Sequence, residues 1–264
     1  MESRSGIITM VTDFGTRDAY VGAMKGVICT ILPTARIVDI THEVRPQHLQ
    51  QAAYMLEAGY RWFPPGTVHM VVVDPGVGTM RRPIAAYAGG HLFVAPDNGV
   101  LSAPLSADRP VVHVISDVDF ELPERSETFH GRDVFAPAAA HLASGISVER
   151  MGPELTDFTL LDLPKPKLVG DAIEGEIVRV DRFGNAISNI PRIMLRRLGR
   201  GPYEVFAGDR CCGILRRRYQ DVAAQEPVAL IGGEGRVEIA VNIGNASAEL
   251  GIGPGAPVRV TVSG

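Results

Sequence analysis

The sequence predicts a two-part α/β protein: a three-layer α/β/α domain with a mainly parallel sheet over 1–167, then a smaller β-barrel over 168–264. Three observations lead there. Strand and helix signals alternate through the first half, as in a parallel sheet with helices on its faces. A stretch holding Pro153, Pro164 and Pro166 breaks the periodicity over 152–167, as an interdomain connection does. Beyond it, short alternating segments are separated by Gly, Asn and Asp, the pattern of a small barrel or sandwich. A chain of 264 residues is also long enough for two cores, at roughly 150 residues per domain.

Taken in order, the apolar run 7–12 reads as a buried strand and 18–31 as a helix that Asp18 can cap and Pro33 stops. A short strand follows at 36–40. Pro46 suits the first turn of a helix running through 59, and 67–73 is the most apolar strand. Strands are expected at 84–88, 92–95 and 111–115, and an alanine-rich helix at 133–144 with Pro137 near its start. In the second half, strands are expected at 174–180, 186–190, 228–231, 236–241 and 258–262.

Composition narrows the partners. The formal net charge of −4 argues against a nucleic-acid or membrane-surface partner that depends on phosphate neutralisation. Apolar runs such as Val71-Val72-Val73 fall far short of the ~20 residues of a membrane span, and the run beginning at Gly6 is too short for a secretory signal. A soluble, cytoplasmic protein is expected. Cys29, Cys211 and Cys212 give neither a disulfide framework nor a zinc spacing.

Standard catalytic motifs are absent: there is no phosphate-binding glycine loop, no Gly-x-Ser-x-Gly elbow, and Pro46 stands where a second histidine would complete a zinc motif from His42-Glu43. What remains are polar groups just past predicted strands, where open α/β sheets bind ligands. Asp13, in Thr12-Asp13-Phe14-Gly15, can accept both hydroxyls of a ribose, or simply form a turn. Asp74 ends the most apolar strand, and the glycine turn after it brings Arg81 back toward it, which favours a carboxylate–guanidinium pair. His130 stands just before a helix start, and Pro96-Asp97-Asn98-Gly99 and Asp181-Arg182-Phe183-Gly184-Asn185 both read as turns.

Together, Thr12-Asp13-Phe14-Gly15, the segments 20–26, 37–42 and 63–69, Val73-Asp74-Pro75-Gly76-Val77-Gly78-Thr79, Pro96-Asp97-Asn98-Gly99, Phe129-His130-Gly131-Arg132-Asp133 and the segment 181–185 resemble the S-adenosyl-L-methionine hydroxide adenosyltransferase family, itself related to enzymes that make halo-adenosines. The likeness covers nearly the whole chain and is least tight over 190–225. It implies a trimer with sites between the N-terminal domain of one subunit and the C-terminal domain of the next. It implies hydrolysis of S-adenosyl-L-methionine to adenosine and L-methionine with neither a metal nor a redox cofactor. By the same resemblance, Asp74, Arg81 and His130 bind and orient the attacking water, and Asp13 holds the ribose diol. Asp18 and Asp181 lie near the sugar and the amino-acid end, and Asn185 and Asn242 around the adenine.

The resemblance also separates water from halide as nucleophile. Halide-using relatives carry an uncharged residue where this chain has Asp74, a threonine at the place of Val77, no arginine at that of Arg81, and an insertion before the strand leading to Pro96. A carboxylate would repel a halide in a low-dielectric pocket. The family's usual serine near Gly232-Gly233-Glu234-Gly235 is replaced by Gly233, so backbone N–H groups substitute for its contact with the methionine carboxylate. Two other readings are a non-catalytic binder of the same substrate or adenosine, and a divalent-metal hydrolase using Asp13, His42, Asp74 and His130.

Overall fold

A computed structural model describes residues 4–106 and 109–263, which divide into two compact units, Met1–Asp162 and Leu163–Gly264. The division falls inside the proline-bearing connection, a few residues before the expected start at 168.

The first unit carries six strands: β1 (Ile7–Thr12), β2 (Arg36–Thr41), β3 (Val68–Val72), β4 (Pro83–Ala88), β5 (His91–Pro96) and β6 (Val111–Val114), in the order β2-β1-β3-β5-β4-β6. The first four in that order pair in parallel, while β4 runs antiparallel to β5 and β6. Every residue of β3 is buried because both faces are covered. Met70 and Val72 join Met10, Met24 and Leu142 in one core, and Val71 and Val73 join Leu56, Phe93 and Leu101 in the other. Helices α1 (Tyr20–Ile31) and, later in the chain, α4 (Ala136–Ser144) contribute to the first core. Helices α2 (Leu49–Tyr60) and the one-turn α3 (Ser102–Leu105) contribute to the second. The result is the three-layer α/β/α architecture.

Several starts differ from expectation. Ala19, with no side-chain hydrogen bond, occupies the N-cap of α1, so Asp18 caps nothing and stands exposed on the preceding turn. Pro46 lies in the loop before α2, whose cap is His48, its Nδ1 accepting from the Gln51 N–H at 3.1 Å. A π-helical turn, Gly131–Phe135, leads without a break into α4, whose second residue is Pro137.

In the second unit β7 (Lys167–Val169) pairs with β8 (Ala172–Val180), and the sheet runs β11-β10-β14-β8-β9-β13-β12. The remaining strands are β9 (Ala186–Pro191), β10 (Tyr203–Ala207), β11 (Arg210–Ile214), β12 (Pro227–Ile231), β13 (Arg236–Val241) and β14 (Pro257–Val262). All ladders in this sheet are antiparallel, and a bridge from Arg216 to Leu230 draws its two edges together into a nearly closed barrel. Ile173, Ile177, Val205, Ala229, Ile239 and Val260 fill the interior. Strands β10 and β11 were not expected from the sequence.

Candidate active site

The site grows from the carboxyl end of β3. Asp74 opens a turn closed by hydrogen bonds from the Val77 N–H to the Asp74 carbonyl (3.2 Å) and from the Thr79 N–H to the Gly76 carbonyl (3.1 Å). Gly78 has φ 77°, and a Cβ there would lie 2.9 Å from the Glu127 carbonyl, so glycine lets the turn pack against the loop that carries His130. The reversal returns Arg81 to Asp74: its Nε lies 3.0 Å from each carboxylate oxygen, and Nη2 makes a second contact with Oδ2. Both side chains are nearly buried, at 6% exposure for Asp74 and 9% for Arg81.

Neighbours brace the pair. Asn98 Nδ2 donates to the Val73 carbonyl at 2.9 Å, and Arg82 Nη2 pairs with buried Asp97 at 2.6 Å. The Arg81 guanidinium carbon lies 5.1 Å from the centre of the Phe135 ring, a cation–π distance. Its Nη1 is buried with no hydrogen-bond partner among the described residues.

His130 completes the arrangement. Arg81 Nη2 lies 2.7 Å from its Nδ1, and Arg125 Nε lies 3.2 Å from its Nε2. Arg125 is itself held by Glu121 at 3.0 Å. A guanidinium only donates, and a neutral imidazole has one accepting nitrogen. Arg125 Nε–H donates to Nε2 while Arg81 faces Nδ1, so the two guanidinium groups compete for the ring's single acceptor. Burial first, then the positive charges of Arg125 and Arg81, push the His130 pKa below its ordinary value, against the opposing pull of Asp74 and Glu127. The imidazole is therefore neutral near pH 7.

A cavity of about 210 Å³ joins these groups to Asp13, its wall including Asp74, Phe14, Phe129 and His130. Asp13 Oδ2 accepts from the Gln47 N–H at 2.7 Å. Behind it, Thr12 Oγ1 contacts His42 Nδ1 at 2.9 Å, His42 Nε2 lies 3.0 Å from Asp39, and Lys25 pairs with Asp39 at 2.7 Å. Phe14, Tyr20 and Phe129 form a ring cluster beside the cavity, Tyr20 and Phe129 meeting edge to face at 5.2 Å.

Asp74, His130 and Asp13 thus line one cavity, with Arg81 behind Asp74 and His130, and Asp18 is not among the lining residues. The other expected residues belong to the second unit. Asp181 and Asn185 build the β8–β9 hairpin: Asp181 Oδ1 accepts from the N–H groups of Phe183 and Asn185 at 2.9 Å, and Asn185 Nδ2 donates to Oδ2 at 3.0 Å. Asn242 follows β13 and donates to the Val222 carbonyl at 2.9 Å. Arg125 was missed from the sequence because nothing in its neighbourhood marks it; the fold alone brings it to His130.

The four residues of the alternative divalent-metal reading do not form a ligand set. Among the described residues no group of three or more His, Cys, Asp or Glu side chains is arranged to hold a metal ion. His42 faces Thr12 and Asp39, while Asp74 and His130 face guanidinium groups.

An ion-paired carboxylate in a partly apolar cavity at the carboxyl edge of a parallel sheet defines a small-molecule site of the open α/β class. Comparison with known proteins specifies the class. Residues 8–152 match the N-terminal domain and residues 175–259 the C-terminal domain of the SAM hydroxide adenosyltransferases, and the chain belongs to that family. It is 40% identical over 261 residues to an (R)-S-adenosyl-L-methionine hydrolase of Thermus thermophilus, covering 96% of this chain and 98% of that one. A fluorinase of Actinoplanes is 30% identical over 223 residues, covering 74% of this chain and 75% of its own. A solved structure from Thermotoga maritima, described as an uncharacterized conserved protein, superposes with a TM-score of 0.91 at 37% identity, covering 96% and 99% of the two chains.

Proposed function

We propose that this chain hydrolyses S-adenosyl-L-methionine by attack of water at the ribose 5′ carbon, releasing adenosine and L-methionine, in line with its family and its hydrolase relatives. The observation that carries the reading is the Asp74–Arg81–His130 arrangement, of which Asp74 and His130 line one cavity with Asp13. The leaving group is a sulfonium, so the C–S electron pair neutralises the sulfur and no acid is required. What the protein supplies is a positioned, partly dehydrated water.

Asp74 accepts the hydrogen bond, and then the proton, of the attacking water. Arg81 fixes the carboxylate from one side. Neutral His130, in contact with Arg81 Nη2 through Nδ1, packs against the guanidinium and holds its plane. Asp13, set by the Gln47 N–H, is placed to accept the ribose diol. A carboxylate in the cavity disfavours a halide in place of water. The step uses no metal or redox cofactor.

A cavity of about 210 Å³ is smaller than the roughly 300–1,000 Å³ of complete ligand sites. We accordingly assign it the reacting centre alone, with Asp18 near the sugar, Asp181 near the amino-acid end and Asn185 and Asn242 near the adenine, contributed across subunits of a cytoplasmic homotrimer. The test is incubation with S-adenosyl-L-methionine and chloride in oxygen-labelled water. Labelled adenosine with an equal amount of methionine is expected. Chloro-adenosine would overturn the nucleophile, and binding without turnover would overturn hydrolysis.

A further inference from the structure

The total charge of −4 conceals a strongly basic stretch. Residues 192–218 hold eight of the chain's 26 Lys and Arg residues and only two of its 30 acidic ones, Glu204 and Asp209. The fold gathers part of this charge at one end of the barrel, where a cavity of about 830 Å³ is lined by Arg192, Arg196, Arg216 and Arg217 around Leu195, Tyr203, Leu215 and Ile231. That volume suits a drug-sized or nucleotide-sized ligand, and barrel mouths are a preferred place for such sites.

Two of the cations stand on fixed backbone. The Arg192 N–H donates to the Gly235 carbonyl at 2.8 Å, and the Arg216 N–H to the Ala229 carbonyl at 2.7 Å. No side chain of the described residues pairs with any of the four guanidinium groups. The carboxylate in the adjoining turn, Glu234, is engaged by Arg179 and does not neutralise them. The floor belongs to the barrel core: Leu195 is 3% exposed, and Tyr203, Leu215 and Ile231 pack against the same cluster. Asp181 and Asn185 sit at the opposite ends of β8 and β9 from this mouth, since β13 starts beside Pro191 and ends toward Ala186.

We propose that the barrel mouth is a second ligand site, for a small molecule that carries several phosphate groups and an apolar or aromatic part, as a nucleoside triphosphate does. Guanidinium forks match phosphate oxygens in pairs, and four on one concave rim suit a chain of phosphates better than a single carboxylate. The floor of Leu195, Leu215, Ile231 and the Tyr203 ring takes a base. The concavity favours a compact ligand over a nucleic-acid strand, which needs an extended basic track.

The inference is independent of the hydrolytic reading, and its test measures binding only. ATP, inorganic triphosphate and a short single-stranded RNA are titrated calorimetrically into the full chain, with saturating adenosine present to occupy the proposed substrate site. ATP is expected to bind more tightly than triphosphate, and to weaken as salt is raised. The double substitution Arg216→Gln/Arg217→Gln is expected to lower ATP affinity by about tenfold or more, since one lost charged hydrogen bond already accounts for about that factor. Arg192→Gln gives an independent second variant should the double substitution disturb the fold. Absence of ATP binding, or equal binding in the variants, overturns the site. Loss of ATP binding in adenosine would assign the mouth to the substrate, and preference for RNA would overturn the ligand class.

Discussion

The two ends of β3 bury polar groups by opposite means. Near its start, His69 is fully buried, with Thr9 Oγ1 2.7 Å from Nδ1 and His91 Nδ1 3.1 Å from Nε2, inside a box of Tyr60, Phe63 and Phe93 rings. Every hydrogen-bonding atom of that imidazole has a neutral partner, and burial pushes its pKa down to about 3. Past the other end, Asp74, Arg81 and His130 are nearly as buried but balance charge against charge, and Arg81 Nη1 is left without a partner. A neutral, saturated cluster can only pack. A charged, unsaturated one can bind and react.

The largest break in this comparison comes from Asp74→Asn, which keeps the shape and removes the proton acceptor. We expect the rate of methionine release to fall by roughly 10²–10⁴, measured below the unfolding midpoint, which also falls because Asn leaves the buried Arg81 charge unpaired. Near-normal turnover would remove Asp74 from the reaction.

The opposite end of the strand answers to pH rather than to substrate. In the unfolded chain His69 protonates near its ordinary 6.5, while the folded protein holds it neutral down to about 3. Below 6.5 the unfolded state therefore binds a proton that the native state refuses, and stability falls with pH through that window. The slope from this residue is about 1.4 kcal/mol per pH unit. Urea unfolding at pH 7 and pH 5 should differ accordingly, and His69→Gln should flatten the difference. A slope unaltered by that substitution would place the acid sensitivity elsewhere.

A smaller effect separates this long-range construction from the local one at the β8–β9 hairpin. Gly184 there has φ 87°, and a Cβ would fall 2.1 Å from the Asn245 side chain. Gly184→Ala should destabilise the protein by about 1–3 kcal/mol in denaturant unfolding. An unchanged stability would mean that the hairpin and Asn245 move apart freely.

That contrast also explains what could be read from the sequence. The Asp181–Asn185 turn and the Asp74–Arg81 pair are local, set by a few residues and their glycines, and both are visible in the chain itself. The α/β layering followed from the alternation of strand and helix signals, and β3, buried along its whole length, shows both sheet faces covered. Caps were less legible: His48, an unusual cap, starts α2, and Asp18 does not cap α1 at all. β10 and β11 escaped because exposed Arg210 and Cys211 blur the alternation that buried Cys212 and Val205 would otherwise show. The arginine-lined mouth was hidden by a charge total that averages over the whole chain. Arg125 illustrates the remaining gap. It reaches His130 because Asp133, buried at the start of the helical segment, accepts the Ser126 N–H at 2.8 Å and folds the loop back.

The smallest expected effect is the one that tests how the charged end is tuned. His130 is faced by Arg81, Asp74, Arg125 and Glu127, and the two cations help burial to hold its pKa down. Protonation of the ring would set two positive groups 2.7 Å apart and release the Arg81 plane. Arg125→Ala removes one of those cations, so the His130 pKa rises toward its ordinary value. The acidic limb of the kcat/KM profile then moves to higher pH, and the loss of activity is larger at pH 6 than at pH 8. Arg125 is 39% exposed, which limits the interaction to about 1 kcal/mol and the displacement to less than about one pH unit. Imidazole titration by NMR, with the His130 signal assigned through His130→Asn, reads the same shift without reference to turnover, and Arg125→Lys should restore most of it. A His130 titration indifferent to Arg125 would mean that burial and Arg81 alone keep the ring neutral.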